Sequence, residues 1–127
     1  MKTPSRTVVV IEDDADIRER VVKGLTLSGY QVFAAENGAV GVGLARAKTA
    51  DVIICDMLMP ELNGFGTLAV LHDHPDTTNI PVIVLSALGE TSTREFAFEM
   101  GVRKYLTKPF ALTDLVEAIE AQFEVAS

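Results

Sequence analysis

Five short runs of apolar, largely β-branched residues recur along the chain, separated by segments whose apolar positions fall at helical spacing. The runs predict strands at Thr7 to Glu12, Gln31 to Ala35, Asp51 to Cys55, Pro81 to Ser86 and Lys104 to Thr107. Most are nearly continuous rather than alternating, as expected of strands covered on both faces. After the first strand, Ile17, Val21 and Leu25 form one helical stripe, which ends at Ser28-Gly29, where glycine supplies a left-handed stop. The last helix repeats the pattern with Leu112, Leu115, Val116, Ile119 and Phe123. The second helix, about Ala39 to Ala47, is expected to be the least stable, because Gly41 and Gly43 each cost up to about 1 kcal/mol relative to alanine. Asp73 to Asn79 reads as a polar, Pro-containing loop. On the fourth helix Phe96 and Met100 share a core-facing stripe that Phe98 does not, which leaves Phe98 for a partner-binding face.

Strands alternating with helices, joined by right-handed crossovers, give an α/β fold: a doubly wound, five-stranded parallel sheet with five helices, in the flavodoxin-like order 2-1-3-4-5. In that order the ligand crevice lies beyond the carboxyl ends of the first and third strands.

The length of 127 residues suits one domain spanning 1–127 and leaves no room for a second, output domain. Apolar residues at 48% and charged residues at 23% describe an ordinary globular chain. A formal charge of −7 opposes binding to a polyanion, and the densest basic stretch is only Arg103-Lys104 with Lys108 nearby, so direct nucleic-acid binding is not expected. The single cysteine, Cys55, cannot form an internal disulfide and lies in a predicted buried strand, where it reads as a core residue. The N-terminus has no signal-peptide pattern and no apolar run approaches membrane-spanning length, so the expected location is the cytoplasm, without membrane insertion.

The chemistry concentrates at the crevice. The first strand runs into Glu12-Asp13-Asp14 and the third into Asp56, so the fold brings several carboxylates to one rim. Like charges that close are costly unless a cation neutralises them. An oxygen-rich, thiolate-free set suits a hard divalent ion, best Mg²⁺, with Mn²⁺ as a possible substitute. Asp14 and Asp16, just ahead of a helix, read instead as capping and first-turn residues. His72 and His74 make a poor metal site and read as helix-end residues.

Four stretches together resemble the receiver domain of two-component response regulators, the CheY-like superfamily. Val8 to Asp14 looks like that family's hydrophobic strand and acidic pair. Asp56 to Gly64 matches its D-x-x-M-P-x-x-x-G pattern, Ser86-Ala87 its Ser/Thr-Ala pair, and Tyr105 to Phe110 its aromatic followed by lysine and proline. Receiver domains are themselves an example of the 2-1-3-4-5 order, so that order is not an independent inference. The resemblance implies that Asp56 is the phosphoacceptor, taking a phosphoryl group from a phosphohistidine on a sensor histidine kinase or histidine phosphotransfer protein. It implies that Asp13, with Glu12 more peripheral or acting through water, is the metal-binding acid pair, joined by Asp56 and the backbone carbonyl of Leu58. Lys108 and Ser86 would contact phosphoryl oxygens. Ser86 and Tyr105 would form the switch that reshapes the face of the fourth helix, fifth strand and fifth helix for a downstream protein partner, as a monomer or a phosphorylation-dependent dimer. It also implies a cis Lys108-Pro109 bond and a domain that takes part in its own phosphotransfer and autodephosphorylation rather than acting as an enzyme.

Three positions depart from the family pattern. Glu12 replaces the commoner aspartate, and Ala111 stands where a capping residue is usual, which makes Thr113 an alternative helix start. Val102-Arg103-Lys104 makes one edge of the output face more basic. Other functions fit less well. A haloacid-dehalogenase phosphatase needs a second aspartate where Leu58 stands, and a flavodoxin-like nucleotide site needs a phosphate cradle where Glu12-Asp13-Asp14 stands. A receiver-like interaction module that accepts no phosphate would be expected to lack Asp56 or Lys108, and both are present.

Overall fold

The computed structural model describes residues 5–57, 64–86 and 91–123. The elements run β1 (Thr7–Ile11), α1 (Ala15–Leu27), β2 (Gln31–Ala35), α2 (Gly38–Ala47), β3 (Val52–Asp56), α3 (Gly64–Asp73), β4 (Val82–Ser86), α4 (Thr91–Glu99), β5 (Lys104–Thr107) and α5 (Leu112–Ala121). The strands form one parallel sheet, as their pattern predicts, in the order β2-β1-β3-β4-β5 that the receiver resemblance implies.

Period-two alternation along the central strands divides the core in two. Val9, Ile11, Ile53, Cys55, Val84 and Tyr105 face one side, where Ala45 of α2, Leu68 and Leu71 of α3 and Ala97 of α4 complete a cluster. Val8, Val10, Ile54, Ile83 and Leu85 face the other, against Val21 and Leu25 of α1 and Leu115 and Ile119 of α5. Covering on both faces explains why β1, β3 and β4 read as unbroken apolar runs, whereas the edge strands β2 and β5 each expose part of their length.

Several boundaries shift from the sequence reading. The first strand ends at Ile11, so Glu12 already belongs to the turn, while β3 extends to include Asp56. α3 continues to Asp73, which the sequence assigned to the following loop; the Thr77 hydroxyl donates to the Leu71 carbonyl at 2.7 Å and closes that helix end. Gly29 takes φ +100° after α1, the left-handed stop expected there. α5 begins at Leu112 and not at the alternative Thr113, because Ala111 keeps the cap position. Ala111 offers no side-chain cap of its own, and the Asp114 carboxylate instead accepts from the Ala111 N–H at 3.4 Å. Phe96 meets Phe65 with ring centroids 5.0 Å apart, while Phe98 is exposed, as the stripe on α4 indicates.

The two glycines of α2 differ in their reasons. A Cβ on Gly41 would lie 2.3 Å from the Cδ1 and Cγ1 atoms of the fully buried Ile11, whereas one on Gly43 would meet nothing within 4 Å. Gly43→Ala is therefore expected to stabilise the protein by about 0.5–1 kcal/mol through helix propensity. Gly41→Ala is expected to destabilise it by roughly 1–3 kcal/mol through overpacking. Urea unfolding of both variants checks the pair; a Gly43→Ala protein no more stable than wild type would show that propensity does not limit α2.

Candidate functional site

Two adjacent central strands end side by side, and that adjacency builds the site. β1 pairs with β3 in parallel register, Ile11 opposite Cys55, so the next residue of each chain, Glu12 and Asp56, emerges at the same rim. Glu12 is held there by its N–H, which donates to the Ala35 carbonyl of β2 at 3.0 Å. Its side chain is fully buried and Asp56 is only 2% exposed, whereas Asp13 faces solvent. One carboxylate oxygen from each of Glu12, Asp13 and Asp56 lies within 4.8 Å of the others.

Lys108 closes the cluster from β5. Its backbone N–H donates to the Ser86 carbonyl at 2.8 Å, which ties the end of β5 to the end of β4, and the Lys108-Pro109 bond is cis as expected. The ammonium stands 2.9 Å from Glu12 Oε1 and 3.3 Å from Asp56 Oδ1. One cation is thus shared between two buried anions. Burial pushes the Glu12 carboxyl up to about 7, reinforced by its hydrogen bond with Asp56 and opposed by Lys108. Burial alone would lower the Lys108 ammonium, but the Glu12 hydrogen bond and the Asp56 charge outweigh it and leave its pKa raised.

Ser86, the last residue of β4, is fully buried and pairs with Thr107. Tyr105 is buried on the α2, α3 and α4 side of the sheet, with the Arg94 guanidinium 5.4 Å from its ring centroid and 5.9 Å from that of Phe98. Asp14 accepts the Ile17 N–H at 3.0 Å and is the N-cap of α1, and Asp16 lies exposed in the first turn, as read from the sequence. Leu58 and Ala87 lie outside the described residues. His72 is exposed at the end of α3, and His74 follows it, 3.9 Å from Asp76. Cys55 is fully buried, and burial next to Asp56 and Glu12 pushes its thiol pKa up, which suits a core residue rather than a nucleophile.

Glu12 is the most deeply buried acid of the three and the partner of Lys108. Its longer side chain carries the carboxylate to the ammonium. One residue was missed altogether. The Arg18 side chain, on the second turn of α1, donates through Nη1 to the Glu12 carbonyl at 2.9 Å and the Asp13 carbonyl at 3.3 Å. Its only signal in the sequence is a long cationic side chain a few residues beyond the acidic turn.

Residues 8–120 match the family described as the response regulator receiver domain. A probable transcriptional regulatory protein of Picosynechococcus is 38% identical over 121 residues, covering 90% of this chain and 47% of that protein. Protein PilH of Pseudomonas aeruginosa is 34% identical over 114 residues, covering 90% of this chain and 94% of PilH. The chemotaxis protein CheY4 of Vibrio cholerae superposes with a TM-score of 0.88 at 24% identity, covering 93% of this chain and 98% of that one, a likeness of fold. The chain spans about half the length of the curated transcriptional regulators it matches. Among the described residues no helix is long and apolar enough to cross a membrane.

Proposed function

Since this chain belongs to the response regulator receiver domain family, we propose that it is a signalling switch whose Asp56 accepts a phosphoryl group from a histidine kinase or histidine phosphotransfer protein. The observation that carries this reading is the pairing of a buried carboxylate at a strand end, Asp56, with the Lys108 ammonium at 3.3 Å and the Glu12 and Asp13 carboxylates within 4.8 Å. Asp56 supplies the attacking oxygen: its bond to phosphorus forms as the bond from phosphorus to the donor imidazole nitrogen breaks. Lys108 offers a point charge to a phosphoryl oxygen, and Ser86 a hydroxyl to another. An open groove of about 580 Å³, lined by Ile17, Pro109, Phe110 and Leu112 among others, begins beside Lys108.

The donor set fits a hard divalent cation, because it is all carboxylate, its three oxygens are close together, and the Lys108 charge alone does not balance them. Asp13, Asp56, the Leu58 carbonyl and, with its pairing to Lys108 loosened, Glu12 would hold Mg²⁺ or Mn²⁺. When bound, such an ion neutralises charge on the transferring phosphoryl group. Phosphoryl oxygens on Asp56 would then draw the Ser86 hydroxyl toward them, and Tyr105 would repack on the face formed by α4, β5 and α5, which would present the signal to a downstream protein.

Intact-mass measurement tests the reading. Wild-type protein treated with a small acyl phosphate and Mg²⁺ should gain a single adduct of about 80 Da, the nominal mass of HPO₃, and chelation of the metal should abolish it. An adduct formed equally well without a divalent ion would remove the metal from the reading, and no adduct under any metal condition would overturn it.

A further inference from the structure

The turn that carries the acid pair is pinned at several points. The Glu12 N–H is bonded into β2, the Asp14 N–H donates to Glu12 Oε2 at 3.3 Å, and the Asp14 carbonyl accepts the Arg18 N–H at 2.9 Å as the first bond of α1. The peptide carbonyls of Glu12 and Asp13 lie between these anchors. Arg18 reaches back from α1 and donates to both through one guanidinium nitrogen, at 2.9 and 3.3 Å. Two successive carbonyls turned to one donor fix the rotation of the peptide planes on either side of Asp13, and hence the direction of its Cα–Cβ bond. Asp13 is exposed, so the backbone beneath it carries much of the aim of its carboxylate.

We infer that Arg18 is a positioning residue for the acid pair, which holds the Asp13 carboxylate toward Asp56 by clamping the Glu12 and Asp13 carbonyls. The inference rests on the cation site proposed above and concerns how that site is kept in shape. A planar guanidinium suits the task because its donors are fixed in one fork; a lysine ammonium in the same place is a mobile point charge.

The sign of one measurement separates positioning from electrostatics. Arg18 is itself a cation beside a cation site, so if only its charge mattered, removing it would tighten Mg²⁺ binding. If it positions the turn, removing it weakens binding, by roughly tenfold, the lower end of what loss of a ligand-orienting partner costs. The experiment titrates Mg²⁺ alone into wild type, Arg18→Met and Arg18→Lys, reading the dissociation constant from amide shifts near Asp13 and Asp56, with metal-free thermal unfolding as the fold check. Weaker binding in Arg18→Met, together with weaker binding in the charge-preserving Arg18→Lys, is the expected result. Should Arg18→Met fail to fold, Arg18→Lys alone decides, since a pure charge effect leaves its affinity at the wild-type value. Wild-type or tighter binding in the folded variants would overturn the inference while leaving the phosphoacceptor reading intact. A wild-type protein that binds no Mg²⁺ would overturn the inference and remove the metal from the proposed function.

Discussion

Asp56→Asn is expected to lose the phosphoryl adduct completely and, in metal-free buffer, to unfold at a higher temperature than wild type. The first half follows from chemistry: a carboxamide oxygen is uncharged and a far weaker nucleophile than a carboxylate, so no acyl phosphate forms. The second half follows from the shared cation. Glu12 and Asp56 are both buried, Lys108 lies between them at 2.9 and 3.3 Å, and Asp13 adds a third carboxylate within 4.8 Å. Folding without metal forces these charges together, and the Glu12 pKa is pushed up to about 7 by burial first, with the hydrogen bond and charge of Asp56 adding to it. Asparagine keeps the shape, removes one charge and can donate its amide to Glu12. The gain should be about 1–3 kcal/mol, in the range measured for unfavourable buried polar arrangements, or several degrees in Tm for a chain of this size. Intact mass after acyl-phosphate treatment and thermal unfolding in chelator check the two halves separately. An adduct that survives would place the acceptor on another residue. A lower Tm would mean that the pairing with Lys108 stabilises Asp56 more than its neighbours repel it. On the proposed function, the same reasoning makes the site a place where stability is given up for reactivity, since the charge that costs folding free energy is the one that would attack phosphorus.

The sequence made this rim legible to a definite depth. β1 and β3 show as continuous apolar runs because both of their faces are covered, and their adjacency in the sheet brings Glu12, Asp13 and Asp56 together. Lys108 is legible from its place after β5 and before proline. What periodicity cannot carry is which side chain reaches which across long sequence separations. The Glu12 to Lys108 hydrogen bond joins residues 96 positions apart, and nothing local distinguishes a glutamate that points to solvent from one that folds inward to an ammonium. Arg18 is hidden for a related reason. A helix stripe marks which residues face the core, and Ile17, Val21 and Leu25 are found by it, but a side chain that turns back to bond carbonyls of the preceding turn leaves no periodic trace. The start of α5 was ambiguous because the usual cap is absent, and the Asp114 carboxylate that accepts from the Ala111 N–H shows only in the folded backbone.

Gly64→Ala is expected to cost about 2–4 kcal/mol of stability, at the upper end for overpacking, and to slow phosphorylation as well. Gly64 is the first residue of α3, and its N–H donates to the Met57 carbonyl at 3.1 Å. A Cβ there would stand 2.3 Å from Met57 Cα and 2.8 Å from both the Met57 carbonyl oxygen and its sulfur. Gly64 does not lie in the left-handed region that Gly29 and Gly101 occupy, so close approach and not backbone conformation requires the glycine. The two nearest clashes are with main chain, which no rotamer change relieves. Contrast Gly24, where the three atoms nearest a Cβ all belong to the side chain of the partly exposed Leu112. To admit the methyl group, either the N-terminus of α3 must lift or the chain leaving β3 must shift. Met57 is fully buried, and its N–H donates to the Leu85 carbonyl at 3.2 Å, so a shift there strains the sheet immediately beside Asp56. The damage should therefore reach the reaction, with a slower rise of the mass adduct in a protein that is still folded at low temperature. Denaturant unfolding and the time course of acyl-phosphate labelling provide the test. A Gly64→Ala protein with wild-type stability would mean that α3 moves freely relative to β3, and a destabilised protein labelled at the wild-type rate would mean that Asp56 is held independently of the chain that follows it.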